Sequence, residues 1–194
     1  MGNIHSVKKA IENLEEEVLL IKSKLQISSC KALIIPGQGA FDPAIENLRK
    51  TGLIDEIKKW ISSGKSFMGI CLGLQILFDE SEEGDSKGLG IINGKIKKIP
   101  PLENQRIPHI GWCNLVPQKD SKLLFKKEIN KWAYFDHSYF AAPNDESFIT
   151  ASVEYGSISL TAIIEFENLV ACQFHPEKSG NTGQSLLSRW LKTI

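Results

Sequence analysis

The chain has 194 residues, 42% hydrophobic and 24% charged, with 23 basic residues against 23 acidic ones. That length suits one domain with a single sizeable core, and the even charge gives no electrostatic reason to expect nucleic acid or an anionic membrane as partner. A small neutral or zwitterionic substrate, or a protein partner, fits better.

No apolar run is long enough to span a bilayer. The opening MGNIHSVKKAIENLEEE lacks the apolar core of a signal peptide. Cys30, Cys71, Cys113 and Cys172 are far apart and form no CxxC pair, so neither zinc nor a redox motif is signalled. The expected setting is a reducing cytoplasm with free thiols, no metal and no cofactor. There a lone cysteine can act as a nucleophile.

Val7, Ala10, Ile11 and Leu14 recur at helical spacing and predict an opening amphipathic helix. Val18 to Ile21 and Ala32 to Ile35 are short apolar runs of strand type. Asp42-Pro43 reads as an N-cap with proline at the first helical position, and Gly52 follows that helix. A second helix through Ile54, Ile57, Trp60 and Ile61 stops near Gly64. A buried strand, Phe67 to Ile70, then leads into a helix from Leu72 to about Glu80. This alternation predicts parallel strands with helical crossovers.

The second half is richer in extended runs: Trp132 to Tyr139, Phe148 to Tyr155, Leu160 to Phe166 and Leu169 to Phe174. Asn93-Gly94, between Ile91-Ile92 and Ile96, predicts a hairpin. Leu186, Leu187, Trp190 and Leu191 return to helical spacing. The expected fold is α/β: one domain over residues 1–194, with a mostly parallel central sheet and antiparallel additions late in the chain.

Gly69-Ile70-Cys71-Leu72-Gly73 sits where an apolar strand meets a helix. This is a G-x-nucleophile-x-G elbow with cysteine in place of serine. Glycine is needed there because the sharp turn brings backbone too close for side chains. A helix N-terminus favours thiolate, and the amide of Leu72 is placed to donate to an oxyanion. A buried structural cysteine is the usual alternative, and the other three cysteines are assigned to it. A second loop, Pro36-Gly37-Gln38-Gly39-Ala40-Phe41, follows a strand end where ligands of open α/β sheets bind. It is either a second oxyanion donor, around Gly37 or Gln38, or a plain strand-helix connection.

Four histidines compete to be the base. His5 lies on the opening helix. His109, between Pro108 and Ile110, has no carboxylate nearby in sequence. His137 has Asp136 beside it, but adjacent strand residues point to opposite faces. His175 ends an apolar strand with Glu177 two residues on, and in an extended segment those two share a face. Glu177 can then hold the imidazole while its other nitrogen faces Cys71.

GICLGLQ followed downstream by FHPEK resembles the class I (triad) glutamine amidotransferases, over essentially the whole chain. IPGQGAF, CLGLQILF, PHIGW, YFDHSY and FHPEKS resemble the glutaminase subunits of imidazole glycerol phosphate synthases within that class. Leu74, where many other amidotransferases of the class carry histidine, points the same way. The resemblance implies a flavodoxin-like fold. It implies that Cys71 attacks the glutamine carboxamide, that His175 protonates the leaving ammonia, and that Glu177 orients His175. Gln75, Gly39, Ser138 and Tyr139 match positions that hold the glutamine. Asn3, Trp112, Tyr134 and Lys178 match the contact with a (β/α)8-barrel cyclase, the partner in a heterodimer that would receive the ammonia.

Three departures stand out. The family's first apolar strand is missing ahead of Met1-Gly2-Asn3, so the reading frame is expected to extend upstream. Cys113 replaces the usual asparagine after PHIGW, and Asp136 replaces a usually apolar residue. Two other readings remain: a glutaminase serving another synthase, such as one of surface-sugar synthesis, and a non-catalytic paralogue that only binds a partner.

Overall fold

The structure, a computed structural model, describes residues 2–194, without the side chains of Gly2 and Asn3. The opening pattern forms helix α1 (Gly2–Glu12), which buries Val7 and Ile11 and leaves His5 exposed. The first-half elements follow as β1 (Leu33–Gly37), α2 (Phe41–Lys50), α3 (Leu53–Ser62), β2 (Phe67–Cys71), α4 (Leu72–Gln75) and β3 (Phe78–Ser81). The second half holds β4 (Ile92–Lys98), β5 (His109–Asn114), β6 (Val116–Pro117), β7 (Trp132–His137), β8 (Tyr139–Pro143), β9 (Ile149–Tyr155), β10 (Ile158–Phe166), β11 (Leu169–Cys172) and α5 (Gly180–Leu191).

The main sheet has the order β1-β2-β11-β10-β9-β6. β2 pairs in parallel with β1 on one side and β11 on the other, and the ladders beyond β11 are antiparallel. The run patterns imply an α/β fold with a mostly parallel central sheet and antiparallel additions late in the chain. The fold is α/β and the sheet is mixed, parallel across β1-β2-β11 and antiparallel beyond. Every residue of β2 and β11 is buried, as strands covered on both faces should be. Successive residues alternate sides. Val170 and Cys172 join α1 and α5 in one apolar cluster with Phe135, Phe174 and Trp190. Leu169 and Ala171 join α2 and α3 in another, with Phe41, Ile45 and Trp60. The site therefore stands on strand ends clamped from both sides.

Four local expectations are overturned. The apolar run Val18 to Ile21 forms no strand. β1 is the edge of its sheet, so the run has no ladder to join among the described residues, and Leu19 and Leu20 stay 49% and 38% exposed. The helix after Cys71 is only four residues long and gives way to β3, which pairs with β4. Asn93-Gly94 lies inside β4 rather than at a hairpin turn. Gly94 is there because β8 passes close by: a Cβ would stand 2.5 Å from the Ala142 carbonyl oxygen. Asp42 is not the N-cap, a place taken by Ala40. Its carboxylate accepts from the amides of Asp85 and Ser86 instead, at 3.2 and 3.0 Å.

Candidate active site

Cys71 ends β2 with φ 55° and ψ −108°, a left-handed backbone costly for any residue with a Cβ. The flanking glycines make the turn possible. A Cβ on Gly69 would stand 2.6 Å from the Gly73 carbonyl oxygen, and one on Gly73 would stand 1.8 Å from that of Ile35. Gly37 pairs in register with Cys71, and a Cβ on it would stand 2.7 Å from the Leu72 Cβ. The elbow is thus seated on the end of β1 with no room for a methyl group.

Cys71 as a whole is 6% exposed. Burial pushes its thiol up to about 12; the Leu72 amide aimed at the sulfur pulls the other way, while the charges of Asp136 and Glu177 add to the rise. The expected thiolate is therefore not the resting form. A four-residue helix offers one useful amide, and desolvation outweighs it. Cys71 rests as a neutral thiol that must lose its proton to a base as it attacks. The Gln173 side-chain amide reaches the sulfur at 3.6 Å.

His175 and Glu177 form the pair the sequence predicts, by a different route. Residues 176–178 make a 3-10 turn rather than an extended segment, and the turn folds the carboxylate back. His175 Nδ1 lies 2.9 Å from Glu177 Oε1, with side-chain exposures of 1% and 0%. The His175 amide donates to the Tyr134 carbonyl at 2.9 Å, and the Ser179 hydroxyl donates to the His175 carbonyl at 2.6 Å. His137 is engaged elsewhere. Its Nδ1 lies 2.8 Å from the Tyr139 carbonyl oxygen and its Nε2 lies 3.1 Å from His109 Nδ1. Burial, with the nearby His109, holds it down at about 3, so it is neutral at physiological pH.

A cavity of about 310 Å³ opens over the elbow. Cys71, Leu72, Gln38, Gly39, Gln75, Ser138 and Tyr139 all line it, as do Glu83, Pro108, Asp136 and His137. Gly37 supports the elbow from below. Gln75 donates through Nε2 to the Tyr139 carbonyl at 3.1 Å and to Gln173 Oε1 at 3.3 Å. Glu83 was not foreseen. In sequence it belongs to a solvated run after β3; in the fold its carboxylate accepts the Phe41 amide at 2.9 Å and closes the glycine loop.

The strands β5 and β7 pair with Trp112 opposite Tyr134 and Ile110 opposite Asp136. Ile110 and Trp112 are 59% and 49% exposed. The rings of Trp112 and Tyr134 meet edge-on at 6.0 Å, and Lys178 Nζ lies 5.7 Å from the Tyr134 ring centre. Asp136 joins this outer face to the cavity. The Asn3 side chain lies outside the described residues.

The fold recurs in solved structures. A crystal structure described as glutamine amidotransferase matches with a TM-score of 0.75 at 20% identity, covering 97% of this chain and 92% of that one. PurLQS from Thermotoga maritima matches with a TM-score of 0.68 at 19% identity, over 97% and 92% of the two chains. The family model Glutamine amidotransferase class-I matches residues 1–194, and the chain belongs to that family.

Full-length relatives are more specific. Imidazole glycerol phosphate synthase subunit HisH of Prochlorococcus marinus subsp. pastoris (strain CCMP1986 / NIES-2087 / MED4) is 64% identical over 194 residues, spanning 100% of this chain and 95% of the relative. The subunit of the same name from Prochlorococcus marinus (strain MIT 9211) is 50% identical over 194 residues, spanning 100% and 91%. Among the described residues no helix is long and apolar enough to cross a membrane.

Proposed function

We propose that this chain is the glutaminase subunit of an imidazole glycerol phosphate synthase, acting as one amidotransferase domain in the cytoplasm. It hydrolyses L-glutamine to glutamate and ammonia. The ammonia passes to a (β/α)8-barrel cyclase, its partner in a heterodimer of histidine biosynthesis. The observation that carries this reading is the 2.9 Å His175–Glu177 pair, buried behind a cysteine held at a strained elbow.

Glu177 fixes the proton of His175 on Nδ1, which leaves Nε2 to take the Cys71 proton as the sulfur attacks the carboxamide carbon. The carbonyl oxygen becomes an oxyanion, held by the Leu72 amide and by an amide of the Gly37-Gln38 loop. His175 returns the proton to the leaving nitrogen, the C–N bond breaks, and ammonia departs from a thioester. Water activated by the same imidazole then releases glutamate. Gly39, Gln75, Ser138 and Tyr139 hold the substrate, and Glu83 and Asp136 place two carboxylates on the cavity wall for its α-ammonium group. Trp112, Tyr134 and Lys178, with Asn3, contact the cyclase.

The names of the relatives favour this synthase over a surface-sugar partner, and the strained Cys71 elbow together with the buried His175–Glu177 pair supports catalysis over mere binding. Cys71→Ala tests the reading. In complex with a cyclase subunit it should abolish synthesis from glutamine and spare synthesis from added ammonium salt. Loss of both activities in a folded, assembled complex would overturn this division of labour.

A further inference from the structure

Three polar side chains form a continuous line that the proposed chemistry does not use. Cys113 Sγ lies 3.1 Å from His109 Nε2, and His109 Nδ1 lies 3.1 Å from His137 Nε2. His137 Nδ1 in turn lies 2.8 Å from the Tyr139 carbonyl oxygen. The far end fixes every proton. A backbone carbonyl only accepts, so His137 Nδ1 donates to it, and a neutral His137 then accepts at Nε2. His109 must donate there from Nδ1, which leaves its Nε2 to accept from the Cys113 thiol. All three groups are held in the forms this requires. Burial lowers His109 to about 4 and His137 to about 3, and it raises Cys113.

The line ends on the cavity. The Tyr139 carbonyl also accepts one proton of Gln75 Nε2, and the other goes to Gln173 Oε1. Reversing the Gln75 amide would set its oxygen against two acceptors, so Oε1 is the acceptor this cavity-lining side chain has left to offer. Gln173, oriented by the same contact, presents its own amide to Cys71.

We infer that Cys113, His109 and His137 form a one-way hydrogen-bond relay that positions the Tyr139 carbonyl and, through it, the Gln75 side chain that receives the substrate. Cys113, the departure from the usual asparagine after PHIGW, is the relay's first donor, and these three are positioning residues. His109 is held in place from the sides as well. It stacks on Phe135 at 4.8 Å and lies 4.2 Å from the Tyr155 ring. Without the thiol, His109 is free to move its proton to Nε2, which would set two acceptors against each other at His137. The inference rests on the glutaminase reading only for its effect on substrate.

The first experiment needs no activity. Imidazole side chains in water favour the proton on Nε2. In the 15N-labelled chain at neutral pH, both His109 and His137 should carry it on Nδ1 in long-range 1H–15N spectra. A bare Nδ1 on either ring overturns the relay. The second compares Cys113→Val with Cys113→Ser. Loss of one net hydrogen bond should raise KM for L-glutamine about two- to tenfold in Cys113→Val, with kcat unchanged and the His109 tautomer altered, and Cys113→Ser should restore both. An unchanged KM and tautomer in Cys113→Val overturns it. If Cys113→Val does not fold, the tautomers of the parent chain and of Cys113→Ser decide. A parent chain without glutaminase activity would sink the proposed function and leave the spectroscopic result standing.

Discussion

The carbonyl oxygen of Ile35 occupies the place where a Cβ on Gly73 would be, 1.8 Å from it. The helix after the nucleophile rests directly on the end of β1, and that contact sets the height of Cys71 above the sheet.

Gly73→Ala should therefore be among the most damaging single substitutions in the chain. The clash is with backbone, which cannot swing away, so the cost should exceed the roughly 1–3 kcal/mol of ordinary overpacking. Gly52→Ala makes the contrast. Gly52 has φ +66° with nothing within 4 Å, so only the left-handed backbone is penalised, at about 1–2 kcal/mol. Urea titration of both variants checks the order; a Gly73→Ala protein as stable as Gly52→Ala would refute the contact.

His175→Ala should lower glutaminase kcat by about 10²–10⁴, the usual loss for a general acid-base group. His137 has both ring nitrogens committed, to His109 and to the Tyr139 carbonyl. His137→Ala should act mainly through KM. Steady-state kinetics on folded variants decide, and a larger kcat loss in His137→Ala would mean that the wrong base has been chosen.

Asp136 and Glu177 both raise the Cys71 thiol, and only Asp136 lies outside the proposed triad. Removing its charge should favour thiolate, so Asp136→Asn should bring the alkylation of Cys71 by iodoacetamide to lower pH. In the parent chain, labelling should still be rising at alkaline pH, because burial holds the thiol at about 12. Mass spectrometry of the Cys71 peptide against pH gives the answer; a profile shifted upward in Asp136→Asn would contradict the electrostatics.

Glu128 takes both guanidinium nitrogens of Arg189, which ties the loop before β7 to α5. Arg189 is the main cause holding its carboxyl at about 2, against an ordinary value of 4.5. A depressed carboxyl stabilises the fold above its unfolded pKa and loses that effect as pH falls through the folded one. Glu128→Gln should therefore lower Tm at pH 7, and the gap to the parent should close between about pH 4.5 and about pH 2. Calorimetry at several pH values would show a constant gap if the pair contributes nothing through its charge.

The isolated chain should hydrolyse glutamine weakly and be strongly activated by the cyclase subunit with its ligand bound. One missing oxyanion donor costs about 10²–10³ in kcat, so a Gly37-Gln38 loop turned slightly away would keep the enzyme nearly off. Trp112→Ala should weaken the complex by about 2 kcal/mol or more, as truncation of a buried interfacial tryptophan does. Glutaminase assays across a titration with the cyclase measure both effects. Full activity without partner would remove the gating.

The sequence by itself determined the strands that carry the elbow and pointed to the groups proposed to react. Phe67 to Ile70 and Leu169 to Cys172 are apolar because both faces are covered, and that property is written residue by residue. The glycines around Cys71 and the spacing of His175 and Glu177 are equally local, since each follows from a turn within a few residues. Tertiary structure alone decided the rest. Whether Val18 to Ile21 becomes a strand depends on a neighbour to pair with, and the length of α4 depends on β4 drawing Phe78 into a ladder. The charge of Cys71 depends on how much water the surrounding strands exclude. Glu83 is a surface carboxylate in sequence, and it reaches the cavity only because the Phe41 amide, 42 residues away, needs an acceptor there. Pairing, desolvation and hydrogen-bond closure are sums over neighbours in space, and the order of residues along the chain does not contain them.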